Sequence, residues 1–265
     1  VERGEVIRES QLLEDVSWIN KNPARRVDLI FSPGTNYGET DIILRSEAYR
    51  AISAYMAYEN SGTDVTGENR GIFGASWVGP LFFDMNSILS YQFTTSFDSP
   101  GDLFGHSGVF ASYLPWQHQV TLLGAYVGSS VNFGGAGAAI NTNGVNKQGS
   151  GRYAIPLDSF GRFSHELEIG MDFKSSNSDL SFGNVAIFDT TSEIVQYSLG
   201  YNILAKDDTG TWRVDLEVVN SPGGNTNKNT NAIFASQRAF ATADYTYGRV
   251  VIERDQELAN GWSAF

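Results

Sequence analysis

Between His165 and Lys174 the chain alternates strictly: Leu167, Ile169, Met171 and Phe173 share one face, while Glu166, Glu168, Asp172 and Lys174 share the other. A period of two is the geometry of an extended strand, whose successive side chains point to opposite faces. The length matches a tilted strand crossing a bilayer, about 9–11 residues. The pattern returns in Trp212, Val214, Leu216 and Val218 against Arg213, Asp215 and Glu217. It returns again in Val195, Tyr197, Leu199, Tyr201 and Ile203 against Gln196, Ser198, Gly200 and Asn202. If the apolar faces meet lipid, every backbone polar group must be paired within the sheet, and only a closed barrel does that.

The rest of the chain from residue 48 onward follows the same grammar. Strands are expected near 49–60, 69–79, 85–96, 106–114, 118–132, 146–155, 163–175, 192–204, 210–220 and 243–257. Alternate connections are short: Gly79 to Asp84, Pro115 to Gln117, Pro156 to Arg162, Lys206 to Gly210 and Leu258 to Gly261. The others, notably 133–145, 176–191 and 221–242, are expected as long loops rich in Gly, Asn, Ser and Asp. Short turns at one end and long loops at the other are the outer-membrane pattern. Tyr58, Trp77, Trp116, Tyr201 and Trp212 near strand ends fit interfacial aromatic girdles. A soluble β-sandwich also alternates, but strand length and loop asymmetry favour the barrel.

Composition narrows the function. Aromatic residues make up 13% of the chain, which holds 28 Gly and no Cys, so neither a disulfide scaffold nor a thiolate metal site is available. A net charge of −12 disfavours nucleic-acid binding, which needs a basic surface. No run of about 18 apolar residues offers a transmembrane helix.

Residues 1–47 read differently, as α+β. Glu9, Ser10 and Gln11 lead into Leu12, Leu13, Val16 and Ile19 at helical spacing, and Pro23 stops the helix. Val27, Leu29 and Phe31 alternate with Asp28 and Ile30 as a strand; Pro33 to Gly38 supplies a turn, and a strand returns from Thr40 to Arg45. This is too small to fold alone, so another half is expected upstream. The chain opens at Val1 with no signal-peptide pattern and reads as a piece of a longer exported protein, ending as it enters an eleventh strand.

No catalytic constellation and no cofactor site is expected. His106, His118 and His165 fall on separate segments without metal-ligand spacing, and no GxSxG elbow exists. Gly135, Gly137 and Ile140 only begin a dinucleotide fingerprint and read as a mobile loop. Asp207 to Gly210 suits a tight turn. The polar strand faces are the informative feature. Glu166, Glu168, Asp172, Lys174, Arg213, Asp215, Glu217, Arg249 and Glu253, with Arg152 and Arg254, are expected to line a lumen. Charges on such a wall need partners, so pairing is expected.

Several segments resemble a known family. Val1 to Ile7, Leu12 to Pro23 and Arg26 to Gly34 look like the last part of a POTRA domain, similar to the second one of two-partner secretion transporters, the haemolysin-activator and filamentous-haemagglutinin-transporter family. Tyr55 to Arg70 resembles that family's first barrel hairpin; Leu89 to Thr95 and Tyr113 to Trp116 resemble its third strand and second periplasmic turn. The resemblance implies the C-terminal part of a POTRA domain at 1–47 and an antiparallel transmembrane β-barrel from 48 to 265, about ten of sixteen strands. It implies an outer-membrane location with the N-terminal segment in the periplasm, and outer-membrane lipid around the barrel. It further implies a secreted exoprotein with an N-terminal secretion signal, recognised in the periplasm and conducted outward unfolded. The family's signature loop and its acidic partner should lie beyond this sequence. Within the POTRA-like part, Glu14, Lys21, Arg25, Arg26 and Asp28 are the expected client contacts, beside a groove able to accept an extended chain. A barrel-assembly transporter and a plain diffusion porin remain open as alternatives.

Overall fold

The computed structural model describes residues 6–23, 25–48, 51–79, 86–133, 140–182, 185–258 and 263–264. The chain begins with helix α1, Glu9–Asn20, followed by a hairpin of β1, Arg25–Pro33, and β2, Thr40–Ala48. Leu12 and Val27 are buried between helix and hairpin, whereas Leu13 is exposed and leaves the expected apolar stripe. Asn20 ties the two together: its side-chain amide donates to the Val27 carbonyl at 2.9 Å and accepts from the Val27 N–H at 2.7 Å. The hairpin closes where the Gly34 N–H donates to the Glu39 carbonyl, with Gly38 at φ 87° supplying the left-handed residue.

Among the described residues a second sheet holds eleven antiparallel strands in sequence order, each pairing with its neighbours in the chain. They are β3 (Ile52–Glu59), β4 (Arg70–Val78), β5 (Ser87–Ser96), β6 (Leu103–Tyr113), β7 (Gln119–Phe133) and β8 (Ile140–Phe160). Then come β9 (Phe163–Phe182), β10 (Val185–Asp207), β11 (Gly210–Pro222), β12 (Asp244–Glu257) and β13 (Ser263–Ala264), with a short helix α2, Asn231–Gln237, between β11 and β12. This is the barrel-type meander that the alternation predicts. The Asp207-to-Gly210 turn is tight as expected, its Asp207 side chain accepting from the Thr209 N–H at 2.9 Å.

Three expected connections are corrected. Residues 140–145 and 175–191 are largely strand, so β8, β9 and β10 reach 21, 20 and 23 residues. Their Ser- and Asn-rich stretches read as loops because a hairpin standing clear of the bilayer is wet on both faces and loses its alternation. Pro156 also lies inside β8 rather than in a turn. It sits beyond the last rung to β7, Gln119↔Ala154, where a missing N–H costs no ladder bond on that side. The expected 221–242 loop does connect two strands but contains α2, capped by the Thr230 hydroxyl, which accepts from the Ile233 N–H. The glycine-rich reading at 134–139 and the connection at 80–85 lie outside the described residues.

Register fixes the two faces. Leu167, Ile169, Met171 and Phe173 align with Tyr201, Leu199, Tyr197 and Val195, and Leu199 with Val218. Ile169 and Leu199 are 50% and 53% exposed, an apolar surface that costs about 25 cal/mol per Å² in water and nothing against lipid. On the other face Asp172, Gln196 and Ser198 are buried.

A charged strand face closed off by the N-terminal helix

All nine residues expected on the polar wall share one face. Glu166 pairs across strands with Asn202, which pairs with Asp215; Glu168 aligns through Gly200 with Glu217, which faces Arg249; Arg213 faces Glu253. Asp172 and Lys174 stand on the same side of β9. Arg254, expected with them, faces the other way: its guanidinium lies 4.7 Å over the Trp212 ring on the apolar face and pairs with Asp207. The consecutive charges Glu253, Arg254 and Asp255 near the strand end leave the phase of Arg254 unmarked in the sequence.

The expected pairing of charges holds for most of the wall. Arg152 is its hub, reaching Asp172 at 2.9 Å and Glu168 at 3.5 Å and donating to the Gly151 and Met171 carbonyls. Its chain runs over Gly170, where an added Cβ would strike both Arg152 and Ser198. Arg249 binds Glu217 at 3.0 Å; Arg213 divides its guanidinium between Glu253 at 3.7 Å and Asp255 at 3.4 Å. Asp172 is buried, so losing Arg152 would strand its carboxylate, whereas the Arg249 and Arg213 pairs are largely solvated and each contributes little.

At the short-turn end, α1 lies against the same face. Trp18 meets Tyr113 of β6 edge-on with ring centroids 5.9 Å apart. Asp15 accepts from the Gln117 side chain at 2.9 Å in the β6–β7 turn. Lys21 binds Glu166 of β9 at 3.1 Å while its ammonium lies 5.4 Å from the Trp18 ring. A helix of 12 residues is about 18 Å long, enough to cover the three strand spacings from β6 to β9, so α1 bridges them along the rim. Beneath it is a cavity of about 440 Å³ reached by Glu14, Trp18 and Lys21 from the helix and by Asp158, Glu166, Arg213 and Asp215 from the sheet.

The five expected client contacts are therefore split. Glu14 and Lys21 reach the rim cavity. Arg26 and Asp28 pair with each other at 3.4 Å on β1, and the Arg25 guanidinium has a buried Nε with no hydrogen-bond partner among the described residues. Sequence reading missed Trp18, Asp15, Tyr113 and Gln117. A tryptophan off the apolar stripe of a short helix was the available signal for the first. The three histidines are strand or strand-start residues, each bonded to a tyrosine on the apolar face: His106 to Tyr91, His118 to Tyr153 and His165 to Tyr201. Among the described residues no group of acidic, His or Cys side chains could hold a metal ion.

No protein-family model matches the chain. Over 124 residues, 46% of its length, it is 25% identical to the "Outer membrane transporter CdiB-2" of Burkholderia pseudomallei (strain 1026b), and it spans only 21% of that relative. The fold is similar to the solved structure of CdiB from Escherichia coli, with a TM-score of 0.77 and 13% identity over 97% of this chain and 47% of that one. CdiB from Acinetobacter baumannii superposes with a TM-score of 0.57 and 14% identity, covering 83% of this chain and 44% of that one. The chain thus spans less than half of the proteins it matches. The chain is therefore similar over part of its sequence to an outer-membrane transporter, and in fold to two CdiB structures.

Proposed function

We propose that this chain is part of an outer-membrane translocator that receives a secreted exoprotein in the periplasm, at its N-terminal secretion signal, and conducts it unfolded to the cell surface. The observation that carries this reading is α1 lying across the short-turn rim on the charged strand face, so that a docking module and a polar wall meet at one mouth. Residues 1–47 act as the end of the periplasmic domain, and 48–265 as barrel wall. The paired charges then form the lumen lining, hydrated enough to pass a polar chain without gripping it. Glu14 and Lys21 are the client contacts best placed for the mouth, and Arg26 and Asp28 for an extended segment along the hairpin. The work is transport, with no bond chemistry and no cofactor. A plain diffusion porin would have no use for a helix at its mouth, which favours the translocator.

Reconstituting the full-length transporter in liposomes with a client that bears its secretion signal tests the proposal. Signal-dependent appearance of the client on the far side is expected. Equal passage of a client lacking the signal would point to the porin, and insertion of the client into the bilayer to barrel assembly.

A further inference from the structure

One cross-strand row of the apolar face is rich in aromatic residues. Met56, Phe73, Phe93, His106, Tyr126 and Lys147 are successive cross-strand partners on β3 to β8, one rung after another. Phe93 and His106 lie 4.9 Å apart, Phe104 and Tyr126 5.7 Å apart, and the Lys147 ammonium stands 5.8 Å over the Tyr126 ring. The row continues through Ser175 to Glu193, and Ser175 follows Phe173, the last residue of the apolar alternation on β9. On β9 the apolar face runs from Phe163 to Phe173, about 33 Å along the strand and about 25 Å in height at a barrel tilt. Lys147 therefore stands at the edge of the hydrocarbon, on the end away from the short turns.

Two cations on this face sit over aromatic rings, and they differ in one respect. Arg254, at the lower boundary, is neutralised by Asp207. Lys147 has no carboxylate within ion-pair distance among the described residues. An ammonium held over the Tyr126 ring at the membrane boundary, with its charge open, is matched by an anion in the bilayer itself.

We propose that Lys147 and Tyr126 form a site for the phosphate of an acylated lipid headgroup in the outer leaflet. The leaflet assignment rests on the orientation proposed above; the site itself rests only on the sheet's lipid-facing register. Glu193 lies two strands from Lys147 on the same row, which steers the headgroup to the β7 side. The ring holds the ammonium at the boundary, and the acyl chains lie along the apolar face below it, where Leu122 of β7 and Met171 of β9 share a row.

The test uses full-length transporter in neutral detergent, titrated with diphosphorylated lipid A, dephosphorylated lipid A or inorganic phosphate, and read by native mass spectrometry. Wild type is expected to hold the phosphorylated lipid about fivefold more tightly than Lys147→Gln, with Lys147→Arg restoring retention and Arg254→Gln matching wild type. Equal retention by wild type and Lys147→Gln would overturn the site. So would equal retention of the dephosphorylated lipid. Inorganic phosphate displacing the lipid without acyl chains at the same concentration would overturn the lipid assignment in favour of a bare phosphate site. None of these readouts involves a client, so failure of export in wild type leaves the lipid measurement standing.

Discussion

Lys21 of α1 and Glu166 of β9 are 145 residues apart in sequence and 3.1 Å apart in space, and their pairing ties the helix to the wall of the sheet. Both side chains are partly exposed, 41% and 28%, so the pair is worth only about 0.2–1 kcal/mol and is screened by salt. Its role is to set where α1 rests. Lys21→Glu in the full-length transporter is expected to speed hydrogen exchange in α1, with the swap Lys21→Glu/Glu166→Lys slowing it again. Raised salt should speed α1 exchange in wild type and slow it in Lys21→Glu, where it screens the repulsion between two carboxylates. Exchange that ignores both variants would mean that Trp18 and Asp15 alone hold the helix.

Arg152 gives a larger effect because Asp172 beneath it is only 7% exposed. Arg152→Met leaves that carboxylate in a poorly solvated wall and should cost about 2 kcal/mol of barrel stability. Arg152→Met/Asp172→Asn should recover much of the loss, since both partners of the charge pair are then gone. Denaturant-dependent gel mobility of the full-length protein measures both. An additive double variant would show that the two residues act separately.

Much of this architecture is legible in sequence, for an identifiable reason. Where one strand face is wet and the other meets lipid, as from His165 to Lys174, the two environments write themselves into alternating residues, and face and register follow. Beyond Phe173 both faces are wet, and Ser175, Ser176, Asn177 and Ser178 carry no phase, so strand reads as loop. The Trp18–Tyr113 contact was invisible for another reason. Tertiary neighbours from separate modules leave no local periodicity, and only the register of the sheet brings Tyr113 to the rim.

Tyr55 lies flat over Gly74 on the neighbouring strand and donates its hydroxyl to Gln92 two strands away at 2.7 Å. The ring covers the bare backbone that glycine leaves, a pairing that pins register in sheets. A Cβ at Gly74 would run into that ring. Gly74→Ala is therefore expected to displace the ring and destabilise the full-length barrel by about 0.2–1 kcal/mol. In a Tyr55→Ala background the same substitution should be close to neutral. Equal costs in both backgrounds would show that the glycine serves the backbone rather than the ring.

The connections at the opposite end from the short turns carry two carboxylates with opposite pH behaviour. The Asn69 side chain and N–H both donate to Asp98, at 2.7 Å each, and hold its carboxyl below the ordinary carboxylate range. A folded-state pKa below the unfolded one means stabilisation present above the unfolded value and lost as pH falls through the folded one. Glu68 is the reverse: a hydrogen bond with Asp64, and then its charge, raise it. Its contribution is present at low pH and fades as pH rises through the raised value. Carboxyl carbon NMR should find Asp98 titrating below, and Glu68 above, their unfolded counterparts. Asn69→Ala should return Asp98 toward the ordinary range and make the segments at 60–69 and 97–102 less sensitive to acid. An unmoved Asp98 titration in Asn69→Ala would assign its low pKa to some other donor.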